Sequence, residues 1–205
     1  MSSIKLTADS GGGTFEIKAP SSGSNTRILT IPDEAGTILT SATSTGKLLQ
    51  VVQTTKTDTA SSSVASGGTW VPTTPKCSIT PSNASNKILV QANITVALAQ
   101  NSHGMYLTVL KAGSPMFVGD QEGSNMERTT VGTLSYNDYN FGTLFFNYLD
   151  TAGSAGSAIE YSIRLSHDSG SSTTIYLNRT EATDNVDDRK RGASSIVLTE
   201  LAAWV

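Results

Sequence analysis

The stretch "KILVQANITVALAQ" at residues 87–100 constrains the fold of this chain more than any other. Ile88, Val90, Ala92, Ile94, Val96 and Leu98 recur at every second position. Successive side chains of an extended strand point to opposite faces, so the run lays one apolar row along one face of a sheet. "AIEYSIRLSHD" at 158–168 repeats the pattern, with Ile159, Tyr161, Ile163 and Leu165 on one side and Glu160, Ser162, Arg164 and Ser166 on the other. No segment carries a sustained 3.6-residue period. Ser and Thr supply roughly a quarter of the chain, and there are 18 Gly. Thr favours strands through its β-branch, while Ser and Gly serve turns. The chain reads as all-β.

Further strands are expected at Leu49-Val51-Gln53, in "MYLTVLKAG" and "SPMFVGD" joined at Gly113-Ser114, in "YNFGTLFFNYLD", in "STTIYLNRT" and in "SSIVLTELAAWV". That makes eight strands beyond residue 46, with turn signals between most of them. Such spacing predicts an antiparallel β-sandwich or jelly roll. The final strand ends on Trp204, which predicts a packed C-terminus.

Charge and cysteine content narrow the chemistry. The net charge of −3 offers no basic face for nucleic acid. Asp187-Asp188-Arg189-Lys190-Arg191 nearly cancels itself and reads as a solvated turn. The one cysteine, Cys77, excludes an intrachain disulfide or a cysteine-based zinc site and is expected as a small buried hydrophobe. The N-terminal residues lack a signal-peptide pattern, and no apolar run is long enough to span a bilayer, so no membrane insertion is expected. Asn93-Ile94-Thr95 and Asn178-Arg179-Thr180 match a glycosylation sequon that has no meaning without secretion.

Ser166-His167-Asp168 holds the residue types of a hydrolytic triad, but neighbours on a strand face opposite ways, so His167 cannot lie between the other two. His103 sits in the turn Asn101-Ser102-His103-Gly104 and reads as an exposed loop residue. Asp120 and Glu122, and likewise Asp184, Asp187 and Asp188, fall in polar loops. Solvated charge is the plain reading there, with a glycosidase pair or a bound Ca²⁺ as the sharper ones. "GGGT" lacks the lysine and helix of a phosphate loop. No enzyme activity and no cofactor are expected. Tyr136, Tyr139 and Phe141, interleaved with Asn137, Asp138 and Asn140, offer a possible glycan-binding surface, against core packing or an intersubunit contact as commoner uses of such a cluster.

Residues 1–46 are of another kind. Thr14–Lys18, Arg27–Ile31 and Thr37–Leu39 are strand-patterned but separated by turn clusters such as Ser21-Ser22-Gly23-Ser24-Asn25. The large apolar side chains are essentially Phe15, Ile17, Ile28, Leu29, Ile31, Ile38 and Leu39. Ordering a residue costs about 1–2 kcal/mol and burying an aliphatic side chain returns about 1.5–3, so these few cannot order the segment alone. The segment is either disordered or buries them against other chains.

"GGTFEIKAPSSGSNTRILTIPDEAGTILTS" resembles units near the N-termini of bacteriophage fibre proteins, particularly those of marine phages and cyanophages. The matching elements are a Gly-Gly strand ending Lys-Ala-Pro (Gly12–Pro20), the Leu-Thr-Ile-Pro strand Leu29–Pro32 and the Gly-Thr-Ile-Leu turn Gly36–Leu39. "LLQVVQTTKTDT" and "SITPSNASNKILV" resemble the entry to the globular domain of those proteins, and "IYLNRTEATD" and "SSIVLTELAA" its close. The resemblance implies a parallel homotrimer, contacts with other virion proteins and no catalytic residues. It leads to the expectation of a virion structural protein: residues 1–46 as an attachment or shaft segment, residues 47–205 as a β-sandwich knob that meets a host-surface glycan or receptor. A short tail or side fibre is the first expectation and a capsid decoration or head fibre the second. A carbohydrate-binding module and a small glycan hydrolase stand as rivals from other classes.

Overall fold

The computed structural model describes residues 3–7, 10–18, 23, 48–123, 127–134, 140–182 and 190–203. The chain divides into two units, Met1–Leu39 and Thr40–Val205. In the first, β1 (Ser3–Thr7) pairs antiparallel with β2 (Thr14–Lys18) in a two-stranded sheet. The second strand coincides with its expected bounds, and the first was not foreseen. Every described side chain of this unit is exposed, including Leu6 at 57% and Ile17 at 42%.

In the second unit, two antiparallel sheets enclose one core. The long strand β7 (Lys87–Leu98) organises the first sheet. β11 (Gly142–Thr151) runs along one flank of it over nearly its whole length. Its other flank takes two strands end to end: β14 (Ser194–Leu201) against residues 87–93 and β13 (Thr173–Leu177) against residues 96–98. Beside these lie β3 (Leu48–Lys56) and β4 (Ala60–Val64), pairing β14 and β13 respectively. Each of these two outer lanes is thus one strand broken partway, at residues 57–59 in one and between Leu177 and Ser194 in the other.

The second sheet is built alike. β8 (Gly104–Lys111) pairs β12 (Ile159–His167). The free flank of β12 takes β5 (Thr69–Trp70) and β6 (Cys77–Ile79). That of β8 takes β9 (Ser114–Met116) and β10 (Val131–Leu134). The β8–β9 turn places Ala112 and Gly113 at φ 48° and 80°, the conformation a two-residue hairpin with right-handed strand twist demands.

Counting the broken pairs as single lanes gives eight in chain order. The first sheet holds the sixth, third, eighth and first side by side, and the second holds the fifth, fourth, seventh and second. Consecutive lanes therefore mostly alternate between sheets, the interleaving of a jelly roll. The expected alternation is what fills the core. Ile88, Val90, Ala92, Ile94, Val96 and Leu98 are all buried, as are Ile159, Tyr161, Ile163 and Leu165 from the facing sheet. Leu144, Phe146, Ile175, Leu177, Ile196 and Leu198 complete the first layer. Tyr161 carries its hydroxyl into this interior and donates to Asp150 Oδ2 at 2.7 Å, where Lys111 Nζ also binds at 2.6 Å. Burial and that carboxylate push the tyrosine's pKa up.

Cys77 is buried on β6 as a free thiol, and desolvation pushes its pKa up. The thiolate is the reactive species, so native protein is expected to resist aromatic disulfide reagents, with labelling appearing only as the sandwich unfolds. Rapid stoichiometric labelling in native buffer would contradict this packing. Among the described residues no helix is long and apolar enough to cross a membrane.

Candidate functional site

Two surfaces stand out. The first is the outer face of the first sheet. Cross-strand registers align Phe145, Asn93, Ser195 and Thr55 in one row, then Asn147, Gln91, Val197 and Gln53, then Leu149, Leu89, Thr199 and Val51. None of these twelve side chains is ionisable. Phe145 is 57% exposed, and Val51, Leu149 and the neighbouring Leu48 are exposed too. These three rows form a solvent-facing patch without ionisable side chains, bordered by Lys87 in the next row, whose Nζ donates to Thr151 Oγ1 at 2.7 Å. Exposed apolar side chains in such a patch are the kind that meet another protein.

The second is a corner of the other sheet, built around Asp168 at the end of β12. Its Oδ1 accepts the Gly104 N–H at 2.8 Å and lies 3.2 Å from His103 Nδ1, while its Oδ2 accepts the Tyr106 hydroxyl at 3.0 Å. Burial works against the charged carboxylate, yet the Gly104, Tyr106 and His103 donors outweigh it and hold Asp168 below the usual carboxylate range. Burial and the adjacent carboxylate push the Tyr106 hydroxyl the other way, up.

The Tyr106 ring lies where two other side chains would otherwise stand. A Cβ on Gly104 would come within 2.4 Å of the Tyr106 hydroxyl oxygen, and one on Gly132, the cross-strand partner of Tyr106, within 2.7 Å of ring carbon Cδ1. Both glycines are needed for this seat. Above it opens a cleft of about 370 Å³, lined by Tyr106 and Asp168, by Glu127 and Thr129 just ahead of β10, and by Ser66 and Ser169 from neighbouring turns. Glu127 makes a loose ion pair with Arg164, 3.6 Å away on the outward face of β12.

The expected candidates fall out as follows. His167 is buried and faces away from Ser166. Its Nδ1 accepts the Ser169 N–H at 3.2 Å, so the proton resides on Nε2 and is donated to the Val64 carbonyl at 3.1 Å. Both ring nitrogens are occupied within the fold, and the three neighbours form no triad. His103, expected as an exposed loop residue, lies in the turn before β8, partly exposed, and its Nδ1 also meets Asp168 Oδ1 at 3.2 Å. Asp120 and Glu122 are exposed, and Asp120 Oδ1 accepts the N–H of Gln121. Among the described residues no three His, Cys, Asp or Glu side chains converge as a metal site. Phe141 is half-buried just before β11. Tyr136, Asn137 and Tyr139, the side chain of Phe15, and Ile28, Leu29, Ile31, Ile38, Leu39, Asp184, Asp187, Asp188 and Trp204 lie outside what the structure describes. Asn178, of the second sequon, is fully buried, and its amide nitrogen donates to two carbonyls, which leaves no room for a glycan.

No protein-family model matches the sequence, and no curated protein matches it either. Among solved structures, this chain is similar to that of the Gt strain of infectious bursal disease virus, at 14% identity and a TM-score of 0.39 over 75% of this chain. It is also similar to the T=1 particles derived from infectious bursal virus, at 12% identity and a TM-score of 0.39. The VP2 subviral particle of infectious bursal disease virus gives 12% identity and a TM-score of 0.34. The aligned part spans 38%, 36% and 41% of those chains respectively. Superpositions that loose leave the functional reading to this chain's own residues.

Proposed function

We propose that this chain is a non-enzymatic structural component of a phage particle, a short homotrimeric fibre. Residues 1–46 hold it to neighbouring virion proteins, and the jelly roll of residues 47–205 is displayed outward to meet the host surface. The observation that carries the reading is the exposure of the N-terminal sheet. A two-stranded sheet is marginal by itself in water, and this one presents Leu6 and Ile17 to solvent. Sister copies wrapped about a common axis supply the missing cover. The exposed side chains of Phe145, Leu149 and Val51 on the outer face of the first sheet support the same reading, as a further contact surface within the particle.

Sedimentation velocity and native mass measurement of the purified chain test this. The expected species is a trimer, converted to monomers by the double substitution Leu6→Asp, Ile17→Asp with the far-ultraviolet spectrum of the sandwich retained. Removing residues 1–46 is expected to leave a folded monomer that no longer incorporates into particles. A full-length chain that stays monomeric at micromolar concentration sinks the proposal.

A further inference from the structure

The cleft over Tyr106 has the makings of a ligand site, and the residues that line it come from one chain alone. Its volume lies within the range of about 300–1,000 Å³ typical of small-molecule sites. Its aromatic ring is immobilised at both ends, by the glycine seat and by the Asp168 hydrogen bond, so a ligand stacking there orders no side chain that is not already ordered. Asp168 Oδ1 is met by two groups, but among the described residues Oδ2 receives one donor and retains acceptor capacity. The 3.6 Å contact to Arg164 is too long for a hydrogen bond, and among the described residues no other donor reaches Glu127, which leaves it acceptor capacity as well.

The geometry points to a neutral sugar ring as the occupant, with its C–H face on Tyr106 and its hydroxyls donating to Asp168 Oδ2 and Glu127. An aromatic plate beside carboxylate acceptors matches a molecule that is apolar on one face and rich in O–H donors around its edge. The two carboxylates disfavour phosphate, uronate or sialate. Arg164 beside Glu127 offsets part of the negative field, and a single aromatic ring makes no cage, so a quaternary ammonium group is a poorer fit.

The test is a glycan array probed with the full-length protein, carrying neutral glucans, galactans and mannans beside uronic-acid polymers and immobilised choline. Calorimetric titration of the strongest neutral oligosaccharide follows. Tyr106→Ala and Glu127→Ala are each expected to weaken binding about tenfold or more. Gly132→Ala, which drives a methyl group into the Tyr106 ring, is expected to weaken it as well. Phe145→Ala, on the other sheet, is expected to leave it unchanged. Glu127 lies in a surface excursion, so its variant stays folded even if the Tyr106 variant does not, and thermal melts report on both. Absence of binding to every neutral glycan, undiminished binding by Glu127→Ala, or preference for uronates or choline would each overturn the inference. A failed trimer test leaves it standing.

Discussion

An Asn178→Ala chain is expected to lose about 3–5 kcal/mol of stability, with a fall in melting temperature of roughly 10 °C. Asn178 sits where the broken lane of β13 and β14 meets the broken lane of β3 and β4, and it is fully buried. Its Nδ2 donates to the carbonyls of Lys56 at 2.9 Å and Asp58 at 3.0 Å, bracketing the kink between β3 and β4. Its Oδ1 accepts the Ser194 hydroxyl at 2.6 Å, and that oxygen in turn accepts the Thr95 N–H of β7 at 3.0 Å. Alanine removes the amide donor from the Lys56 and Asp58 carbonyls and the acceptor of the Ser194 hydroxyl proton, at a position that is itself fully buried. It must also hold φ at 61°, a region in which Asn is far more at ease than Ala. Asn178→Gly separates the two effects, since glycine accepts the backbone but restores no hydrogen bond. It is expected to recover only about 1 kcal/mol. Urea unfolding followed by exposure of the Cys77 thiol measures both variants. A loss below about 1 kcal/mol in the alanine variant would show that the corner is held by its backbone ladders instead.

The same corner marks where the sequence was legible and where it was not. The strands that read clearly, β7 and β12, are central, and burial of one face stamps a two-residue period on them. Ala60–Val64 escaped notice because an edge strand reading Ala-Ser-Ser-Ser-Val has almost nothing to bury, and β13 holds it there through backbone pairing. Thr69–Trp70 and Val131–Leu134 are short pieces of lanes whose remainder lies across an excursion, so no local window contains the pattern. Asn178-Arg179-Thr180 carried a surface-site motif while its first residue is a buried joint, because what fixes its role is contact with residues 56, 58 and 194. The cleft was invisible for a related reason. Tyr106 is readable only as one aromatic residue on a strand, and the features that make it a plate are Gly132 on another strand and Asp168 past a third. Tyr136, Tyr139 and Phe141, by contrast, cluster along the chain and are legible to any local window.

Glu200→Ala is the second large effect expected, about 2–4 kcal/mol, and its pH dependence tells more than its size. Glu200 points inward from β14 and is completely buried, yet every donor around it is neutral. Asn86 Nδ2 at 2.6 Å, the Ser82 N–H at 2.8 Å and the Ser82 hydroxyl at 2.9 Å converge on Oε1, and Gln50 Nε2 reaches Oε2. The loop 80–86 is thereby tied to the last strand, and Asn86 Oδ1 passes the connection on to the Ala203 N–H at 3.1 Å. Desolvation alone would raise the pKa of such a carboxyl, but the Gln50, Asn86 and Ser82 donors prevail and hold it below the ordinary value. A group whose folded pKa is depressed stabilises fully above its unfolded-chain value of about 4.3 and loses that contribution as pH falls through the folded value. Glu200→Gln keeps the shape but not the charge. The stability gap between wild type and Glu200→Gln is therefore expected to be widest near neutral pH and to close in acid, as read from urea midpoints across that interval. A gap of constant size from neutral to acid pH would mean that the donors recognise the outline of the side chain and not its charge, and the electrostatic account of this joint would fail.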